Sequence, residues 1–152
     1  MRPFSGTWGS LPPTVAVVAL VAVGSSGWII SVSLVLFLLL GAIACVRFGT
    51  SGERAFGAKD PSSIVADEVA GVALTLAVVP WWMLTPAGEM SIPTAVVIAG
   101  TGFVSFRIFD VWKPGFVFGL QDRPAGWGIL LDDLGAAVCA WPCTLVAAAW
   151  VA

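Results

Sequence analysis

From Trp28 to Val46 the chain runs without one charged residue, and few folds can accept such a stretch. Its length matches the roughly 20 apolar residues that a helix needs to cross about 30 Å of hydrocarbon. Four further apolar stretches accompany it, at Pro13–Val23, Ile64–Met83, Pro93–Phe109 and Leu134–Val151. Across all 152 residues, 59% are hydrophobic and only 11% charged, with a mean hydropathy of +0.98. A soluble domain carries roughly 25% charged residues to cover its surface. This composition therefore excludes a soluble enzyme and predicts an all-α, polytopic membrane helical bundle of four to five segments, forming one domain over residues 1–152.

Gly24-Ser25-Ser26-Gly27 reads as a tight turn, so the first two segments form a helical hairpin with a short or partly re-entrant first arm. The N-terminal stretch is not a cleavable signal peptide, because its basic region is Arg2 alone and no small-residue cleavage site follows. Trp81 and Trp82 fall at the end of the third segment, where an aromatic belt belongs. In a five-span arrangement all seven Lys and Arg residues lie on one side, which the positive-inside rule makes cytoplasmic. The acidic residues collect there too, with Glu89 alone opposite. Acids contribute little to orientation, so their one-sided placement points to chemistry at that face.

Absences narrow the chemistry. There is no histidine, which removes imidazole bases, nucleophiles and metal ligands. Cys45, Cys139 and Cys143 show neither metal-ligand spacing nor a disulfide framework, and read as small buried hydrophobes. A net charge of −2 leaves no basic footprint for nucleic acid.

Three charged clusters remain. In the first, Lys59 and Asp60 precede Asp67 and Glu68, which lie one to two turns inside a helix starting near Ser62. Ionisable groups within a span are costly and persist mainly where they are used, although acids at a helix N-terminus also favour its dipole. Gly71, four residues beyond Asp67, leaves room for a close neighbour. In the second cluster, Arg107, Asp110 and Lys113 recur every three residues on one side of a helix closed by Pro114. Such a set suits a phosphate and a metal together, with Arg as bidentate donor, Lys as point charge and Asp as hard ligand. The plainer alternative is a snorkelling helix end with a local ion pair. In the third, Asp122 and Arg123 precede Gly126 and Gly128, which permit a tight backbone path, and Asp132 and Asp133 open the last helix. Several carboxylates without histidine describe an all-oxygen site, which favours Mg²⁺ over zinc.

The motifs occur in an order that resembles the phosphatidylglycerophosphatase A family of bacterial membrane phosphatases. The matching residues are Gly6-Thr7-Trp8-Gly9-Ser10, Lys59-Asp60, Ser63-Ile64-Val65 with Asp67-Glu68, Phe106-Arg107-Ile108-Phe109-Asp110-Val111-Trp112-Lys113-Pro114, and Gly126-Trp127-Gly128-Ile129 leading to Asp132-Asp133. Two departures stand beside them. Only Met1–Ser5 precede the Gly-Thr motif where the family has a Gly- and Pro-rich stretch, and a histidine that some members carry is absent. The resemblance implies Mg²⁺-dependent hydrolysis of phosphatidylglycerophosphate to phosphatidylglycerol and phosphate, in the bacterial inner membrane and from its cytoplasmic face.

The residues agree with that expectation. Neither a Cys-x₅-Arg nor an Asp-x-Asp motif is present, which leaves direct attack by a metal-activated water. The expected catalytic residues are Asp67, Glu68, Asp110 and Asp133. Arg107, Lys113, Lys59 and Arg123 bind phosphate, and Asp60, Asp67, Glu68, Asp110, Asp132 and Asp133 hold the metal. The lipid and the bilayer are the expected partners. A cation or proton transporter would spread its charges through the bilayer depth, and a headgroup phosphotransferase would show a longer ladder of aspartates. Neither pattern is found.

Overall fold

The computed structural model describes residues 5–56, 65–119 and 126–151, and among these there is no strand. Helix α1 (Ser5–Ala22) leads through the expected turn into α2 (Gly27–Phe56). At that turn Gly24 takes φ +70°, and the Gly24 and Ser25 amides bond back to the Val21 and Leu20 carbonyls. Then follow α3 (Ala66–Ala77), the single turn α4 (Trp81–Leu84), α5 (Ile92–Trp112), the single turn α6 (Gly115–Phe118) and α7 (Gly126–Val151). Among the described residues, three helices are long and apolar enough to cross a membrane: Gly27–Gly49 within α2, Ile92–Trp112 and Gly126–Val151. The first and third apolar stretches instead form shorter helices.

The third stretch differs most from its sequence reading. It starts later, since Val65 stands outside the helix as its N-cap, and Asp67 and Glu68 therefore lie in the first turn. It also stops at Ala77, two turns before the predicted end, because Pro80 cannot continue it. This short helix is the centre of the molecule, packed by α1, α2, α5 and α7. The indole of Trp81 is fully buried and donates to the Leu76 carbonyl at 2.9 Å, and Trp141 donates to Leu74 at 3.2 Å. Trp81 is thus a plug for the end of α3, and the belt role falls to exposed Trp82, stacked on Trp28.

Small residues let the helices approach. Gly41, Cys45 and Gly49 form a buried stripe on α2. A Cβ on Gly41 would press on the Ala66 carbonyl, and one on Gly49 would lie 2.7 Å from the Gly126 Cα. Cys45 donates its thiol to the Gly126 carbonyl at 3.3 Å. Gly126 is therefore a helix contact, and the backbone path toward the site predicted for it is not what it provides. On α7, Ala136, Ala137 and Ala140 are buried against the core. Without a hydrophobic drive between helices in lipid, such close van der Waals packing holds them together. Of the three cysteines only Cys45 is fully buried. Cys143 is exposed on the outer face of α7.

Candidate active site

The N-terminus of α3, the C-terminus of α5 and the first turns of α7 meet at one end of the bundle. The described charged residues of the three clusters, Asp67, Glu68, Arg107, Asp110, Lys113, Asp132 and Asp133, gather there. Arg107 lies 2.6 Å from Asp110 and 3.6 Å from Glu68. Lys113 stands 4.0 Å from Asp110 and donates to Asp132. Charges thus alternate from Glu68 through Arg107, Asp110 and Lys113 to Asp132, crossing from α3 to α5 to α7. Asp67, Asp132 and Asp133 are nearly inaccessible, whereas Arg107, Lys113, Glu68 and Asp110 keep part of their surface open.

Asp132 and Asp133 do not open the last helix. It begins at Gly126, with no acid in its first turn, so the pair lies about 9–10 Å along its axis at 1.5 Å per residue. The Gly126–Cys45 contact carries the helix two turns further out than the acids implied. Asp132 accepts the backbone N–H of Asp133 at 3.1 Å. Asp133 is close enough to Asp67, Asp110, Asp132 and Lys113 to feel all four charges. Its Oδ2 is buried and has no hydrogen-bond partner among the described residues. Buried polar atoms are nearly always satisfied, so this oxygen marks a place where a cation or water completes the site.

Lys113 reaches the cluster by an unusual backbone. It is the C-cap of α5 at φ 41°, ψ 76°, and the one non-glycine residue with positive φ among the described residues. Pro114 follows it and bars continuation of the helix. The left-handed turn carries the side chain off the helix axis and over α7. Partial burial by itself lowers the Lys113 ammonium. The hydrogen bond to Asp132 and the charges of Asp132, Asp133 and Asp110 outweigh that and hold it above the ordinary lysine value.

Lys59, Asp60 and Arg123 lie outside the described residues. The remaining expected site residues are brought together. Sequence reasoning missed the part played by the N-terminal motif. A Cβ on Gly9 would meet the Glu68 carboxylate and lie 2.8 Å from the Val65 Cβ. Ser10 beside it is fully buried. Gly9 is thus the seat for the first turn of α3, and this glycine of the motif was the available signal. Gly71 does admit a close neighbour, which is the Phe106 ring and the Asp133 carbonyl of the next helices.

As a metal site the donors are all hard oxygens, the set that suits Mg²⁺. No three acidic or thiol side chains among the described residues form a ready-made metal cage. The donor chemistry and the orphaned Asp133 Oδ2 fit a hard cation.

Residues 1–148 match the phosphatidylglycerophosphatase A family. A phosphatidylglycerophosphatase A of Haemophilus influenzae is 33% identical over 92% of this chain and 76% of its own length. A Bacteroides thetaiotaomicron protein, by name a candidate phosphatidylinositol-3-phosphatase, is 30% identical over 82% of this chain and 68% of its own. The Escherichia coli phosphatidylglycerophosphatase A is 32% identical, over 68% of this chain and 54% of that protein. No solved structure matches the chain. With motifs in order from Gly9 to Asp133 and a match reaching nearly from end to end, the chain belongs to the phosphatidylglycerophosphatase A family.

Proposed function

We propose that this protein is an Mg²⁺-dependent lipid phosphatase that hydrolyses phosphatidylglycerophosphate to phosphatidylglycerol and phosphate. The observation that carries this reading is the alternating cluster of carboxylates and cations at one end of an otherwise apolar bundle. A lipid phosphomonoester held in the bilayer presents its phosphate at that depth.

Arg107 and Lys113 bind the phosphate oxygens, where they stabilise the charge that spreads as the leaving oxygen departs. Asp110 stands between them and fixes both, at 2.6 and 4.0 Å. Asp132 holds Lys113 from the other side. Asp67 and Asp133, both buried, would hold the cation, with Glu68, Asp110 and Asp132 as further donors. When bound, Mg²⁺ polarises the phosphoryl oxygens and lowers the pKa of an attacking water. A carboxylate of the cluster would take the proton of that water and return it to the departing glycerol oxygen, which leaves as the alcohol. With no histidine in the chain, no other base is at hand. The inner membrane, with the cluster facing the cytoplasm, is the location consistent with the basic residues.

The test is phosphate release from phosphatidylglycerophosphate by the purified chain in detergent, with phosphatidylinositol 3-phosphate as the competing substrate. EDTA should abolish turnover and added Mg²⁺ should restore it. A burst of phosphate equal to the enzyme concentration, or a trapped phospho-aspartate, would overturn direct attack by water.

A further inference from the structure

The outward face of α5 carries a shallow groove that the charged cluster leaves unused. Two open, shallow hollows lie along it, lined by α5 residues, and Val104 borders both, so they run end to end. The first is walled by Val96 and floored at Gly100, where an added Cβ would meet nothing within 4 Å. The second is walled by Val111 and Trp112 and includes Arg107. Val96, Val104, Val111 and Trp112 are all exposed, which on a spanning helix means facing lipid.

Arg107 joins this groove to the charged cluster, since the same guanidinium meets Asp110 and Glu68. From Arg107 to Val96 is eleven residues, about 16 Å of helix, which is close to the depth of one leaflet in hydrocarbon about 30 Å thick. An apolar trough one leaflet deep, ending at a single cation, is complementary to an anionic lipid with its chain along the trough and its phosphate at the guanidinium. We propose that this groove seats an acyl chain of the lipid substrate and so delivers the headgroup phosphate to Arg107. The assignment rests on the lipid-phosphatase reading above and deepens it. A seated chain fixes the phosphate before reaction, an orienting effect that a water-soluble phosphomonoester does not enjoy.

The experiment uses the full chain in phosphatidylcholine nanodiscs, with a phosphonate analogue of phosphatidylglycerophosphate bearing a diazirine midway along one acyl chain. Photoadducts mapped by mass spectrometry should concentrate on residues 96–112. A phosphatidylcholine with the same diazirine chain should label the outer faces of α2, α5 and α7 evenly. Val104→Trp should remove most of the α5 adducts and raise KM for the long-chain substrate about tenfold. Val35→Trp, on the exposed face of α2, should change neither. Even labelling by the phosphonate lipid would overturn the proposal, as would adducts that join two copies through α5, because a second copy would then fill the groove. Absence of phosphate release from the native chain would count against the phosphatase function alone, since the labelling pattern needs no turnover.

Discussion

Asp133 shows how much depends on one side chain. Its Oδ2 is buried without a hydrogen-bond partner, and burying a charge is expensive unless something offsets it. Asp133→Asn keeps the shape and removes the charge. Turnover should fall by at least about 10²-fold, while the thermal midpoint stays level or rises, because a neutral amide is cheaper to bury. A variant that kept wild-type activity would remove Asp133 from the site. Gly9 acts at the same scale through what it lacks. Gly9→Ala places a methyl against Glu68 and Val65, and overpacking of this kind costs about 1–3 kcal/mol. Activity should drop along with the melting temperature, since the displaced turn carries both Asp67 and Glu68. Gly115→Ala, where an added Cβ meets nothing within 4 Å, is the control that should change neither.

Among the elements, α3 holds the most information. Twelve residues are too few to cross a bilayer, yet four helices enclose it and two indoles satisfy carbonyls at its far end. Its burial explains why the stretch is apolar without being a full span. The crossing of α2 and α7 is the second device, and it rests on Gly49, Cys45 and Gly126. Gly126→Ala sets a methyl against the Cys45 carbonyl and should destabilise the fold by about 1–3 kcal/mol, read as a lower melting temperature in detergent. Because the acids of α7 sit two turns beyond this crossing, kcat should fall with it. A large loss of stability at unchanged kcat would show that the crossing supports the fold alone.

For the whole molecule, the charges and the tryptophans define an axis. Every described charged side chain except that of Glu89 lies toward the end where α3 begins. Exposed Trp8, Trp112 and Trp127 ring that end, and exposed Trp28, Trp82 and Trp150 ring the other. Trp127 and Trp150 are about 34 Å apart along α7 at 1.5 Å per residue, the separation of two interfacial belts. A cysteine at Glu89 should react with an impermeant maleimide added to intact cells, and one at exposed Arg47 should not. Labelling of both from the same side would refute the axis. The sequence by itself determined the helical class, the turn at Gly24–Gly27, the family and the candidate charged residues, of which the described ones come together. Uninterrupted apolar runs and charges confined to a few short motifs leave few alternatives, and each can be read locally. Only the tertiary structure decided that the third stretch is a buried short helix, that Asp132 and Asp133 lie inside α7, and that Gly9 seats Glu68. Each of these depends on a contact between residues far apart in the chain, such as Gly126 on Cys45 or Gly9 on Val65, and no local pattern records which distant backbone will come to rest on a glycine.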